Sequence, residues 1–568
     1  MLTAKWIISG NDPIQSGALF SYSKYAKVNG SAVVTLRFGT SFRSADQACA
    51  NLAEEVGSAS FDTIRKRSYD EWNTKLNRIQ LDPKSDATIV ELFYTSFYRQ
   101  FLTPNNATHE SIGYKTEKPW FNSLYCTWDT FRTFYPLLSL HSAQDYASIV
   151  ENYVESWRQT GIIPECRANG VPGLTQGGSD GTNVLADFAV KYSSIAKQLG
   201  VDVSDVHAAL LSDSFTTPPE WDLGGRQIGV WRQYHYIPYL VFDKHSTGRQ
   251  TREGSRTVEY AFNDFAARQV ALLQNDTTSE QLLRNSSLWY RNVFDPTTKS
   301  LDFSTFVQQR RTNGTFRYVD PTTCSPIDNN QNHACSLQQS NTYGIYETSS
   351  WEYSLFAPHD TAGLINLLEG GDRAQFIARV DQFFAKDLYY AGNEPSFQTP
   401  VIYHYANAPT KSVQRVRQIV YRNFNTTTAG LPGNDDQAAM ATLLALHLLG
   451  IYPVPSTREY LLVSPFVPSY TVNNDALGSF TVNVTNFDER SLAETIPNGA
   501  RAYIDTVKVN GKLQTSRCKI RFEQLLRGKG KHTTVELTMP ADPTAVNKCG
   551  SDDKALPSSL STGGFDTI

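Results

Sequence analysis

The chain has 568 residues, 40% hydrophobic and 19% charged, enough for about two to four globular domains with sizeable cores. A net charge of −4 supplies no basic face for nucleic acid, and no run of about 18 apolar residues is present to span a membrane. The start, Met1 to Trp6, lacks the charged segment and apolar stretch of a signal peptide.

Residues 1–43 read as strands, with the β-branched run 32–38 following an Asn29-Gly30 turn and Asp12-Pro13 marking an earlier turn. So few strands form the end of a larger β domain, not a sheet of their own. Residues 44–82 read as linker helices, opened by Ser44 as N-cap with Gln47 three residues on. Over 83–452, apolar residues recur at helical spacing in 87–102, 142–160, 186–199, 257–273, 361–368, 373–384 and 436–449. Long loops rich in Gly, Pro, Asn and Asp separate them, which suits a toroid of helix pairs with function in the loops at one end. Strand alternation returns over 453–542, in 470–472, 480–484, 502–504 and 534–537, and Asn510-Gly511 is a hairpin signal. The polar tail, 543–568, is expected to be disordered. The predicted fold class is mixed α and β.

Seven Asn-x-Ser/Thr sequons, at Asn29, Asn106, Asn275, Asn285, Asn313, Asn425 and Asn483, suit a secreted glycoprotein. Seven cysteines leave at least one unpaired; Cys324 and Cys335 bracket a polar loop and are the expected disulfide.

Four loop clusters carry candidate chemistry. In Trp128-Asp129-Thr130-Phe131-Arg132, an acceptor and a forked donor three residues apart can grip neighbouring sugar hydroxyls beside an aromatic ring; a helix-start ion pair is the plainer reading. In Tyr346–Tyr353, followed by Pro358-His359-Asp360, acids crowd aromatic surface. A carboxyl there can stay protonated and donate to a leaving group, and Glu347 and Glu352 compete for the role. Gly392-Asn393-Glu394-Pro395 is a kinked loop able to converge oxygens on a hard cation, or an ordinary turn. Gly430–Asp436 ends in two adjacent carboxylates expected to open a helix, which suits a base or a cap.

In this order and spacing the four clusters resemble the family 92 glycoside hydrolases, calcium-dependent inverting exo-α-mannosidases. The resemblance runs over nearly all of residues 30–540 and includes Ser41–Ala45, Gly177–Asp180, Arg256–Tyr260 and Leu462–Pro465. It implies an (α/α)6 toroid catalytic domain over 83–452. It also implies a remnant of an N-terminal β-sandwich over 1–43, and a C-terminal β-rich segment packed on the catalytic domain. The general acid falls on Glu347, not Glu352, and the base on Asp436. Members often carry another acid two positions before the base; this chain has Asn434, which can orient water but cannot share the base role. Trp128, Asp129 and Arg132 match residues that hold the terminal mannose, with Trp351, His359, Asp360, Asn434 and Asp435 also assigned to the sugar. Ca²⁺ falls on the Asn393 side chain and a Glu394 backbone oxygen.

The implied substrate is terminal non-reducing α-mannose, most often α-1,2-linked, on N-glycans or mannoproteins. Inverting chemistry leaves a water between carboxyls roughly 6.5–9.5 Å apart. The expected partners are mannose-containing glycans, the expected state a monomer and the expected location secreted. Because the family carries a full β-sandwich before the helices, an N-terminal truncation that also removed the signal peptide is expected. The alternative is a catalytically inactive carbohydrate-binding homologue.

Overall fold

Two units account for the chain, Met1–Arg67 and Ser68–Ile568. The computed structural model describes residues 3–9, 15–21, 35–168, 170–333, 335, 343–542 and 546–567.

In the first unit, Thr3–Ser9 and Gln15–Ser21 form an antiparallel hairpin with Trp6 opposite Ala18. Residues 35–40 have no regular structure, so the strand expected over 32–38 does not form in its described part. Residues 32–34 and both expected turns, Asp12-Pro13 and Asn29-Gly30, lie outside the described residues. The helix Ala45–Glu55 starts as expected: Ser44 is extended and its hydroxyl accepts from the Gln47 N–H at 3.0 Å. The Gln47 side chain does not return to the cap; it bonds Asn51 at 2.9 Å.

In the second unit, the expected helices appear as Ala87–Arg99, Ala143–Thr160, Glu253–Leu273, Thr361–Glu369 and Arg373–Ala385. Their ends follow local chemistry. Asp86 and Asp372 each accept two first-turn N–H groups, and Gly161 stops its helix in the left-handed region at φ 78°. The helix expected over 186–199 runs instead from Gly181 to Tyr192, with a separate 3₁₀ turn at Ala196–Leu199. The helix expected from Asp436 begins only at Ala439. Asp436, Gln437 and Ala438 are all left-handed, with φ 43°, 55° and 58°, so Asp436 caps nothing. Three consecutive non-glycine residues in that region are a costly arrangement that the surrounding structure must hold in place. The helices Phe134–His141, Val203–Phe215 and Pro409–Asn423 were not expected from the periodicity. Phe134–His141 is buried along its whole length and so carries no amphipathic stripe to read. Glu253–Leu273 is buried over nearly all its length and packs against Gly181–Tyr192, Val203–Phe215 and Thr277–Ser286.

The C-terminal β region holds a three-stranded sheet of Ile451–Pro453, Glu459–Leu462 and Lys519–Arg521, and a six-stranded sheet in the order Lys512–Leu513, Thr506–Val509, His532–Thr538, Gly478–Thr485, Ser469–Asn474 and Ile79–Leu81. Residues 502–504 are not a strand; pairing begins at Thr506. Asn510-Gly511 makes the expected turn with both residues left-handed. The edge strand Ile79–Leu81 comes from the segment expected to be linker, and its Ile79 lies opposite Val472. The sheet therefore cannot be cut from that segment. Asn474 fixes it to the helical layer by donating to the Leu140 carbonyl at 3.2 Å and to the Tyr192 hydroxyl at 2.9 Å.

The expected disorder of the tail does not hold over residues 546–567. Cys549 is bonded to Cys518, and Val546, Ala555, Leu560 and Phe565 are buried. The apolar anchors are spaced singly among polar residues, so composition hides them. No helix among the described residues is long and apolar enough to cross a membrane.

Candidate active site

The Cys126–Cys166 disulfide and a bond from the Thr127 N–H to the Glu165 carbonyl, 2.9 Å, hold the loop that carries Trp128, Asp129 and Arg132. Asp129 is 1% exposed, and neither of its carboxylate oxygens has a protein hydrogen-bond partner among the described residues. Arg132 does not face solvent. Its guanidinium lies over the rings of Trp128, Phe131 and Phe356 and donates to the Trp128 carbonyl and to Glu259 at 2.9 and 3.2 Å. Glu259 also accepts from the Trp128 indole at 3.1 Å and the Tyr353 hydroxyl at 2.9 Å. Trp128 and Arg132 thus belong to a buried ion-pair network that backs Asp129, where the sequence suggested direct sugar contacts. Removing one member of such a network leaves a buried charge uncompensated.

Two further carboxylates meet Asp129. The loop 392–396 brings in Glu394, 3% exposed, with Oε1 unpartnered among the described residues. The left-handed segment 436–438 brings in Asp436. One carboxylate oxygen each of Asp129, Glu394 and Asp436 lies within 4.8 Å of the others. The two loops approach glycine to glycine: a Cβ on Gly433 would sit 2.6 Å from the Gly392 carbonyl oxygen, so no larger residue fits. The Tyr390 hydroxyl donates to the Pro432 carbonyl and ties them further. All three carboxyls are pushed above the usual range, first by burial and then, for Asp129 and Glu394, by the neighbouring acids.

Three converging acids, two of them buried with oxygens unpartnered among the described residues, fit a hard divalent cation, whose charge would relieve their repulsion. The Glu394 backbone oxygen accepts from the Phe397 N–H at 3.0 Å and keeps a second lone pair, and its side-chain Oε1, unpartnered among the described residues, is a further donor. The Asn393 amide donates to the Glu347 carbonyl at 3.3 Å and to Glu352 at 3.4 Å, which leaves its Oδ1 for a cation.

Glu347 is partly exposed and left-handed, φ 51°. Burial raises its pKa, as does the Asp436 charge; a Tyr346 hydrogen bond and Arg252 oppose the rise. Glu352, the rival acid, is 1% exposed and accepts from Ser396, Thr348 and Asn393, which commits it to holding loops together. A cavity of about 620 Å³ opens beside Glu347, lined also by Thr348, Glu352, Tyr390, Asn393, Cys335 and the Cys324–Pro326 segment. A second cavity of about 530 Å³, between Arg373 and the C-terminal segment, holds no comparable pair: Asp553 is ion-paired to Arg373 at 2.9 Å.

Around Asp436, Asn434 is exposed, while Asp435 pairs with Arg99 at 3.4 Å and accepts the Ala441 N–H at 3.1 Å. Tyr125 and Gln437 went unrecognised in the sequence. Tyr125 hydrogen-bonds Asp436, and its N–H donates to Gln437 at 2.5 Å. Neither lies in a recognisable motif; only the fold brings them together.

Three expected sugar contacts are not at the site. Trp351 is fully buried against Phe303, Phe306 and Phe383, with its indole on Ser300 at 2.9 Å. His359 stacks on Phe262, and its Nε2 bonds the Ser287 carbonyl at 2.8 Å. Asp360 accepts from Arg291, Tyr290 and the Ser561 N–H at 2.7, 3.0 and 2.8 Å, so it anchors the C-terminal segment.

The sequence profile of the glycosyl hydrolase family 92 catalytic domain matches residues 47–539. The chain belongs to this family. A relative named "uncharacterized secreted glycosidase", from Arthroderma benhamiae, is 32% identical over 97% of this chain and 66% of its own length. Among solved structures, a family GH92 alpha-mannosidase from Bacteroides thetaiotaomicron in complex with mannoimidazole matches with a TM-score of 0.75 at 22% identity, over 91% of this chain and 64% of that one. A family GH92 inverting mannosidase from the same organism matches with a TM-score of 0.74 at 20% identity, over 92% and 68%. This family 92 chain therefore spans about two thirds of the length of these proteins. The solved structures support the fold: a helical domain with a C-terminal β-sheet.

Proposed function

We propose that this chain hydrolyses terminal non-reducing α-linked mannose, α-1,2 foremost, from N-glycans or mannoproteins in a single-displacement, inverting reaction. The observation that carries the reading is the juxtaposition of a partly buried acid, Glu347, with a carboxylate cluster in which buried Asp129 has no protein hydrogen-bond partner among the described residues. Burial raises the pKa of Glu347, which favours the protonated form, and in that form it donates its proton to the glycosidic oxygen. Asp436, hydrogen-bonded by Tyr125, takes the proton from a water that attacks the opposite face of the anomeric carbon. Asn434, exposed two residues before it, can orient that water. Asp129 and Glu394, with Asn393 Oδ1, would hold Ca²⁺. When bound there it supplies Lewis-acid polarisation and a template for vicinal sugar hydroxyls. Trp128, Arg132 and Glu259 keep Asp129 in place and exclude water behind it.

We read the helices as an (α/α)6 toroid and the protein as a secreted monomer. The six sequon asparagines among the described residues are all exposed, as glycosylation requires. Release of mannose from an aryl α-mannoside and from α-1,2-mannobiose, with calcium and with EDTA, tests the function. Release that ceases with the chelator and returns with calcium is expected; no release from either substrate with calcium present contradicts the reading.

A further inference from the structure

A left-handed backbone at a non-glycine acid needs its peptide groups held. At Glu347 both are held by protein. The N–H donates to the Cys335 carbonyl at 3.2 Å, and the carbonyl accepts from Asn393 at 3.3 Å. Cys335 is itself fixed by the disulfide to Cys324. Asp328 braces the intervening loop, accepting from the Cys324 N–H at 2.6 Å and bonding His333 at 2.6 Å. The same two cysteines, with Ser325 and Pro326, line the 620 Å³ cavity beside Glu347; neither Asp129 nor Asp436 lines it. Glu347 therefore stands between two spaces. It is coupled electrostatically to Asp436 on one side and opens on the cavity on the other.

We propose that the Cys324–Cys335 loop is a positioning and specificity element: it aims the proton of Glu347 and walls the space that receives the leaving group. This rests on the mannosidase reading above. A sugar leaving group needs both the proton and the wall, whereas fluoride, a weakly basic leaving group, needs neither. The Cys335 carbonyl fixes where the carboxyl sits, and Ser325 and Pro326 give the departing sugar a surface. Loss of the cross-link lets that carbonyl drift from the Glu347 N–H and leaves the acid's backbone unsupported.

The test compares kcat/KM on α-linked mannobiose and on α-mannosyl fluoride for four proteins. These are wild type, Cys324→Ala/Cys335→Ala, the remote control Cys518→Ala/Cys549→Ala, and Pro326→Gly with the disulfide intact. The Cys324/Cys335 variant is expected to lose about 10- to 100-fold on mannobiose and less than about threefold on the fluoride, with a shifted alkaline limb of its pH profile on mannobiose. Pro326→Gly is expected to raise KM for mannobiose alone. The control is expected to lower Tm while keeping the wild-type ratio of the two substrates. Equal losses on both substrates would make the bridge a plain structural staple and overturn the proposal, as would an unchanged ratio in both loop variants. If the cysteine variant does not fold, an unchanged mannobiose KM in Pro326→Gly overturns it. A wild type inert on both substrates overturns the mannosidase reading, and this inference with it.

Discussion

Substituting Glu347 and Glu352 separately by Gln distinguishes a working acid from a structural one. Glu347→Gln keeps the side-chain volume and both backbone hydrogen bonds, to Cys335 and from Asn393, so the left-handed backbone survives. It removes only the transferable proton. General acid catalysis is worth about 10²–10⁴ in rate, or roughly 3–5.5 kcal/mol of barrier, when the leaving group is a sugar. Desolvation and the Asp436 charge raise the Glu347 pKa and so favour the protonated form that an acid needs. In Glu352→Gln, the new amide can still accept from Ser396 and Asn393 and donate to Thr348, so a loss within about tenfold is expected. Initial rates of mannose release from mannobiose across pH, with saturating calcium, measure both. Glu347→Gln should also abolish the alkaline limb of the profile, because no acid remains to deprotonate. Wild-type activity in Glu347→Gln, or a larger loss in Glu352→Gln, refutes the assignment.

Asp129→Asn should weaken cation affinity by at least about tenfold, because a carboxylate with no hydrogen-bond partner among the described residues is replaced by a neutral ligand; calcium-induced change in Tm reads this directly. Asp360→Asn should cost roughly 1–3 kcal/mol of stability, because the buried carboxylate that accepts from half-exposed Arg291, Tyr290 and the Ser561 N–H is replaced by an amide, seen in denaturant unfolding, with KM within about twofold of wild type because the side chain is not at the site. Acid should destabilise the fold through its buried histidines. His447 has no protein partner on either ring nitrogen among the described residues, and burial depresses its pKa to about 3; His404 falls to about 4. Each folded value lies below the unfolded one, so the contribution is present above about pH 6.5 and is lost as pH falls towards the folded value. The loss is roughly 5 kcal/mol for His447 and 3 for His404. His447→Leu should flatten the fall of Tm between pH 6.5 and 4; an unchanged slope contradicts the linkage.

The candidate site was legible in part because its acids sit in short, contiguous motifs: Glu394 and Asp436 meet Asp129, and Glu347 and Asn393 line the adjoining cavity. The amphipathic helices were legible for a similar reason, each carrying its own stripe. What failed was information held across the fold. Sequence cannot show that Arg132 is turned inward by Glu259, or that Asp360 is claimed by Arg291 and Ser561, 69 and 201 residues away. It showed a polar tail where burial depends on single side chains such as Phe565. It placed a helix cap at Asp436, where three left-handed residues instead turn the carboxylate towards Glu394 and Asp129. That local rule fails at the residue proposed as the base, and backbone strain of this kind gathers at functional sites.

The central claim is that Glu347 and Asp436 act on opposite faces of one sugar. Proton NMR of an aryl α-mannoside during turnover, read before mutarotation, tests it most directly. The account predicts β-mannose as the first-formed product; α-mannose appearing first would contradict it.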